Sequence, residues 1–197
     1  MAVSSTAANT AIDVCSRALI LIGADPITSF DDGNNESLVA VNMYEDIARS
    51  ALVNTRWRFA TNQAVLNRLS ETPTGRYDAA YQLPTGWLMT HVVTVNDFSI
   101  EYQTYGDKLY CDEASTSTLV LDYTYRAEEI DWPSYFTVAV EYELASVFAV
   151  SLARDQSLAQ IMAQQANAAM IKARNLDAQQ QTTRKLTTNR FIVNRRT

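Results

Sequence analysis

The sequence predicts an α+β fold: a four-helix bundle, a small antiparallel β subdomain inserted between its second and third helices, and an extended C-terminal arm. Three observations predict it. Apolar residues recur at helical spacing behind N-cap signals at both ends of the chain, and a stretch rich in Val, Thr and Tyr, broken by Gly and Pro turns, fills the middle. The last stretch is polar and basic with no core-forming period. The helices are expected at about 10–22, 36–55, 133–153 and 155–179 and the β subdomain at about 60–130, so that 1–180 is one domain and 181–197 a basic arm.

Thr10, Ala11, Ile12 and Asp13 fit a capping box, in which hydroxyl and carboxylate satisfy the free amides of a helix start. The stripe Ile12, Cys15, Leu19, Ile22 follows, and Gly23 with Pro26 stops the helix. Phe30 to Asn34 reads as a turn, after which Asn34 or Asn35 caps a second helix with the stripe Leu38, Val41, Tyr44, Ala48, Leu52. Loops at Thr72 to Gly75 and Leu83 to Gly86 then introduce strands at His91 to Val95, Ser99 to Tyr105, Lys108 to Asp112 and Thr118 to Arg126. Gly106 and Asp107 break two of them as a hairpin does, and Leu119, Leu121, Tyr123, Tyr125 alternate with more polar neighbours as in a strand with one buried face. The expectation is one small sheet or a partial barrel.

Asp131 and Pro133 mark the third helix, whose broad face Phe136, Val140, Leu144, Val147, Phe148, Leu152 makes it the most buried. Asp155 caps a fourth, with the stripe Leu158, Met162, Ala166, Ala169, Ala173, Leu176. Its small residues Ala166, Ala169 and Ala173 permit close helix approach and are candidates for subunit packing, against the alternative of an ordinary exposed amphipathic helix.

Composition narrows the function classes. With 47% hydrophobic and 19% charged residues most of the chain should fold. No apolar run approaches the roughly 18 residues that span a bilayer, so no membrane partner is expected. Met1 to Thr10 lacks the basic and apolar regions of a signal peptide, which predicts an intracellular site of synthesis and use. Cys15 and Cys111 are the only cysteines and His91 the only histidine, too few and too scattered for a disulfide or zinc site; no metal and no cofactor are expected. Neither GxxxxGK[ST] nor GxGxxG occurs, so no nucleotide site is expected. The charge is uneven: Met1 to Met170 holds 9 Lys/Arg against 21 Asp/Glu, net −12, and Ile171 to Thr197 holds 7 against 1, net +6. An acidic body with a basic tail suggests an interaction arm.

Two chemistries compete with a structural role. Glu128, Glu129 and Asp131 follow a strand, and paired carboxylates can hydrolyse a glycosidic bond; a solvated loop with a helix cap at Asp131 explains the same acids. His91 has no Ser or Cys partner at a recognisable spacing and suits a buried or interface position better than a general base. In the tail, Arg184, Lys185, Arg190, Arg195 and Arg196 could neutralise phosphates as a DNA-binding module. Phe191, Ile192 and Val193 sit among those charges, and an apolar cluster flanked by Arg is better suited to a groove on a protein.

Three segments carry a family resemblance. ILIGADPITSFDDG at the end of the first helix, MYEDIARSALVNTRWRFAT in and after the second, and YDAAYQLPTGWL resemble the corresponding stretches of phage head-to-tail adaptors, which include the tail tubular protein A subunits of short-tailed phages and the related adaptors of gene transfer agents. The likeness covers roughly Ala11 to Leu88 and continues beyond only as element order. Trp57, Phe59, Tyr81 and Leu83 within it look like core anchors where helices meet sheet. After the Leu-Pro turn the chain has Thr85, Gly86, Trp87, where such adaptors often carry an acid.

The resemblance implies a non-enzymatic virion protein of the tail or neck, assembled in the host cytoplasm. It implies a homo-oligomeric ring of about twelve copies between the portal protein and a tail nozzle or tail-tube protein, with genomic DNA passing through its channel. The tail residues 184, 185, 190–193, 195 and 196 would dock on portal or on a neighbouring subunit. An acidic body suits a conduit through which a polyanion must slide.

Overall fold

The computed structural model describes residues 7–180 except 72 and 74, and they form an α+β structure of four helices and two small antiparallel sheets. Helix α1, Ala11–Leu21, starts at the expected capping box: the Thr10 hydroxyl accepts from the Asp13 amide at 3.1 Å and the Asp13 carboxylate accepts from the Thr10 amide at 3.1 Å. Gly23, at φ +77°, ends it in the left-handed region that favours glycine. Asn34 caps α2, Asn35–Val53, by accepting from the Ser37 amide at 2.7 Å. Asp155 caps α4, Gln156–Gln179, by accepting from Ser157 and Leu158. Between them α3, Ser134–Ser151, buries nine residues and packs against each of the other three helices, so the expected most buried helix is the central one.

Two helix expectations are corrected. On α2 the inward face is Ser37, Ala40, Tyr44, Ala48, Ala51 and Leu52, while Leu38 and Val41 stand 61% and 50% exposed. Tyr44, Ala48 and Leu52 of the expected stripe do face inward with the helical cluster, and the departure is confined to Leu38 and Val41, whose places are taken by Ser37 and Ala40. Asp131 caps nothing: it ends a 3-10 turn, Glu129–Asp131, and Pro133 occupies the N-cap of α3 with no side-chain hydrogen bond.

The β region is two sheets where one was expected. Strands β1 (Thr61–Val65), β7 (Leu119–Tyr125), β3 (Trp87–Val95) and β4 (Phe98–Ser99) form one sheet in that order. Strands β2 (Ala79–Gln82), β6 (Lys108–Cys111) and β5 (Gln103–Tyr105) form the other. The segment expected as a single strand, Ser99 to Tyr105, changes sheet midway, and Ile100 and Tyr102 at the crossing pack on the core that both sheets enclose. The expected hairpin break is present: Tyr105 pairs with Lys108 across Gly106 and Asp107, with Gly106 at φ +61°. On β7 Leu119, Leu121 and Tyr123 are buried, as their alternation required, and Thr124 joins them.

Two hydrophobic clusters result. One lies among the helices around Trp57, Phe136, Leu144 and Phe148, and the other between the sheets around Tyr81, Leu109, Leu119 and Leu121. Tyr125 packs against both, and its hydroxyl donates to the Phe59 carbonyl at 3.2 Å. All four anchors marked in the sequence lie in or against these clusters: Trp57 and Phe59 on the helical side, Tyr81 and Leu83 on the sheet side. No described helix is long and apolar enough to cross a membrane.

Candidate functional site

Where the helices meet the first sheet, one cation gathers groups from three segments. Arg126 follows β7; its Nε donates to the Glu45 carboxylate on α2 at 3.1 and 3.2 Å, and its Nη2 donates to Glu45 Oε2 at 3.0 Å and to Glu129 in the 3-10 turn. The guanidinium lies 5.5 Å from the Trp132 ring centre, a cation–π distance. Tyr44 donates its hydroxyl to Glu129 Oε1 at 2.7 Å, and Arg49 donates to Glu45 Oε1 at 2.6 Å. The backbone of Arg126 completes the junction, its N–H donating to the Gly86 carbonyl at 2.8 Å. Gly86 sits at φ +76° in the turn Pro84–Trp87, which lets that carbonyl face β7.

Burial works against each charge here, yet the pairing outweighs it. Hydrogen bonds from Arg126 and Tyr44 hold the Glu129 carboxyl below its ordinary value, and those from Arg126 and Arg49 do the same for Glu45. The same bonds push the Arg126 guanidinium further up. Burial, then the hydrogen bond to Glu129, pushes the Tyr44 hydroxyl up. The paired charges tie α2, the end of β7 and the 3-10 turn together. Of the acids weighed as a hydrolytic pair, Glu128 is exposed as expected, whereas Glu129 belongs to this half-buried cluster and not to a solvated loop.

The other candidates scatter. His91 is half-buried on β3, its Nε2 2.8 Å from Thr124 Oγ1, and burial with the nearby Arg56 lowers its pKa. Cys15 lies in the helical core, where burial drives its thiol up to about 12; Cys111 is buried between the sheets, its thiol also raised by burial. Ala173 is fully buried, Ala166 and Ala169 are half-buried, and α4 packs chiefly along α3, so the small-residue stripe faces a helix of its own chain. The tail residues Arg184, Lys185, Arg190, Phe191, Ile192, Val193, Arg195 and Arg196 lie outside the described residues. Among the described residues no group of three His, Cys, Asp or Glu is placed to hold a metal ion.

Two clefts open on the surface. One of about 610 Å³ beside β5 and β6 is lined by Tyr77, Tyr102, Glu101, Asp112 and Glu113. The other, about 730 Å³, lies between the α2–β1 connection and the last turns of α4, with Arg56, Arg58 and Thr61 on one side and Arg174, Asn175 and Asp177 on the other. Asp177 is 4% exposed and accepts from the Arg58 amide at 3.2 Å and from the Tyr135 hydroxyl at 3.0 Å, which closes the floor of this cleft.

Sequence reasoning missed Arg126 as a junction residue. A signal existed: Arg126 is the only cation between Lys108 and Arg154, and it sits at the end of the strand with the clearest alternation. A lone cation in an acidic stretch next to buried strand positions finds carboxylates nearby. Comparisons with known proteins add no identity: no family model matches the chain, and no curated protein does.

Proposed function

We propose that this chain is a structural ring subunit, a portal-to-tail adaptor of a tailed bacteriophage, and not an enzyme. In this reading the four helices form the bundle of the subunit, about twelve copies close a ring that extends the DNA channel, and the basic arm at 181–197 engages portal or a neighbouring subunit. The opposite end presents a platform to the nozzle or tail-tube protein.

The observation that carries the reading is the junction at Arg126. Its side chain binds Glu45 within MYEDIAR and its backbone binds Gly86 within YQLPTGWL, so two of the segments on which the resemblance rests are joined at one residue. Segments recognised by their order in sequence thus meet at one residue in space. A second support is the exposed pair Leu38 and Val41 on one face of α2, an apolar surface of the kind that oligomers cover.

Mass measurement and negative-stain imaging of the chain with and without purified portal test this. Rings, alone or on portal, are expected. A chain that stays monomeric with portal overturns the reading, and cleavage of cell-wall polymer lost in a Glu128→Gln, Glu129→Gln variant selects a hydrolase instead. Changing Phe191, Ile192 and Val193 to Ser separates docking from DNA binding in the arm. Loss of portal binding with duplex binding retained is expected, since three buried side chains of this size contribute roughly 1.5–3 kcal/mol each.

A further inference from the structure

The cleft between the α2–β1 connection and α4 brings together three arginines, two of which form no ion pair among the described residues. Arg58 is exposed and forms no ion pair among the described residues, and Arg174 buries its Nε with no acceptor among them. Arg56 is engaged only at the rim, 3.3 Å from Asp122, with 53% of its side chain exposed. A buried guanidinium N–H without an acceptor is costly, and three guanidinium groups on facing walls repel one another unless an anion lies between them.

We propose that this cleft is a docking site for an acidic segment of a protein partner, whose carboxylates are held by Arg56, Arg58 and Arg174. The inference stands whether or not the chain builds a ring. Three features favour a peptide over nucleic acid. The body around the cleft is net −12 over residues 1–170, which repels a long polyanion but leaves room for a few carboxylates inside a local basic patch. A concavity of about 730 Å³ accepts side chains and not the rod of a duplex. The lining also offers Asn175 and Thr61, polar groups that suit a peptide backbone with both donors and acceptors. The chain's own tail is not the ligand, because residues 181–197 contain no Asp or Glu.

Fluorescence anisotropy on the full chain decides the matter, with a labelled poly-glutamate peptide and a labelled DNA duplex as probes at low and physiological salt. Four proteins are compared: wild type, Arg56→Gln, the double variant Arg58→Gln with Arg174→Gln, and a variant with Arg184, Lys185, Arg190, Arg195 and Arg196 changed to Gln. The double variant is expected to bind the peptide roughly tenfold or more weakly, as for loss of charge-assisted hydrogen bonds, with duplex binding unchanged. Arg56→Gln should weaken peptide binding about threefold, in keeping with a solvent-screened charge. If the double variant fails to fold, Arg56→Gln decides, since its exposed side chain contributes little to stability. Peptide affinity equal to wild type in the cleft variants overturns the proposal, as does peptide binding lost only with the tail charges. Cleft variants that lose duplex binding more than peptide binding make the site one for nucleic acid and overturn it too.

Discussion

In the helical half the deepest side chains include rings that meet around one centre, Phe136, whose centroid lies 5.0 Å from Trp57 and 4.9 Å from both Trp132 and Phe59. In the sheet half the deepest side chains are Leu109, Leu119, Leu121 and Val93, with Tyr81 the one fully buried ring. The contrast extends to the loops. Each indole on the helical side also donates to a backbone carbonyl outside the regular ladder, Trp57 to Ala51 and Trp132 to Ala127, so the aromatic centre fixes the ends of α2 and β7 as well as filling space. The sheet core is held by backbone ladders that do not depend on any one side chain. Deletion in the helical core should therefore loosen connections, and deletion in the sheet core should leave a cavity.

Phe136→Ala is expected to have the largest effect, about 3–5 kcal/mol of stability, because it removes the ring that the other three contact. Chemical denaturation followed by Trp fluorescence measures it. A loss below about 1 kcal/mol would dissolve the distinction between the halves. Leu121→Ala comes next, at about 2–4 kcal/mol, and its transition by fluorescence and by circular dichroism should remain single if Tyr125 and Arg126 couple the two cores. Two separated transitions would show instead that the halves unfold independently.

Arg126→Met probes the coupling itself. With the guanidinium side chain 17% exposed and Glu45 45% exposed, solvent screening reduces the loss to about 1–2 kcal/mol. Its pH dependence has a definite sign. Glu45 and Glu129 have lowered native pKa values, so the stability they contribute is complete above the ordinary Glu value of about 4.3 and is lost as pH falls through the native values. Wild type should therefore lose stability more steeply than Arg126→Met on acidification below about pH 4, and parallel curves would remove the ion pairs from the account. The smallest effect is expected at Cys15: with a thiol raised to about 12 and no exposure, it should resist thiol reagents at neutral pH until the chain is denatured. Rapid labelling of the native protein at Cys15 would reveal local opening of α1.

The elements that could be read from sequence were those with local chemistry. Thr10 with Asp13, Asn34 and Asp155 announce helix starts because the capping bond is made within four residues, and Gly106 announces a turn because its backbone angle demands glycine. Strands β1 and β2 were not legible. Thr61–Val65 is a polar edge strand whose exposure follows no strict alternation, and Ala79–Gln82 is four residues long with its first three buried. On α2 Tyr44, Ala48 and Leu52 of the expected stripe are buried, but Leu38 and Val41 drew its first turns to the wrong side because they outweigh Ser37 and Ala40 in hydrophobicity. The Arg126 cluster spans 81 residues from Glu45, a separation at which no spacing rule operates. The two clefts are likewise products of tertiary arrangement.

Asp177 ties the end of α4 to two other elements at once. It lies three residues before Gln180, and its carboxylate ties the last turn of α4 both to the Arg58 amide, ahead of β1, and to Tyr135 in the first turn of α3. Gln180 adds to the same corner, its Nε2 donating to the Tyr135 hydroxyl at 3.3 Å. The end of α4 is thereby held to the segment ahead of the first sheet and to the start of the central helix, next to Phe136. Asp177→Ala would remove the two bonds made through this carboxylate and leave Gln180 and the packing along α3 to hold the end of the helix.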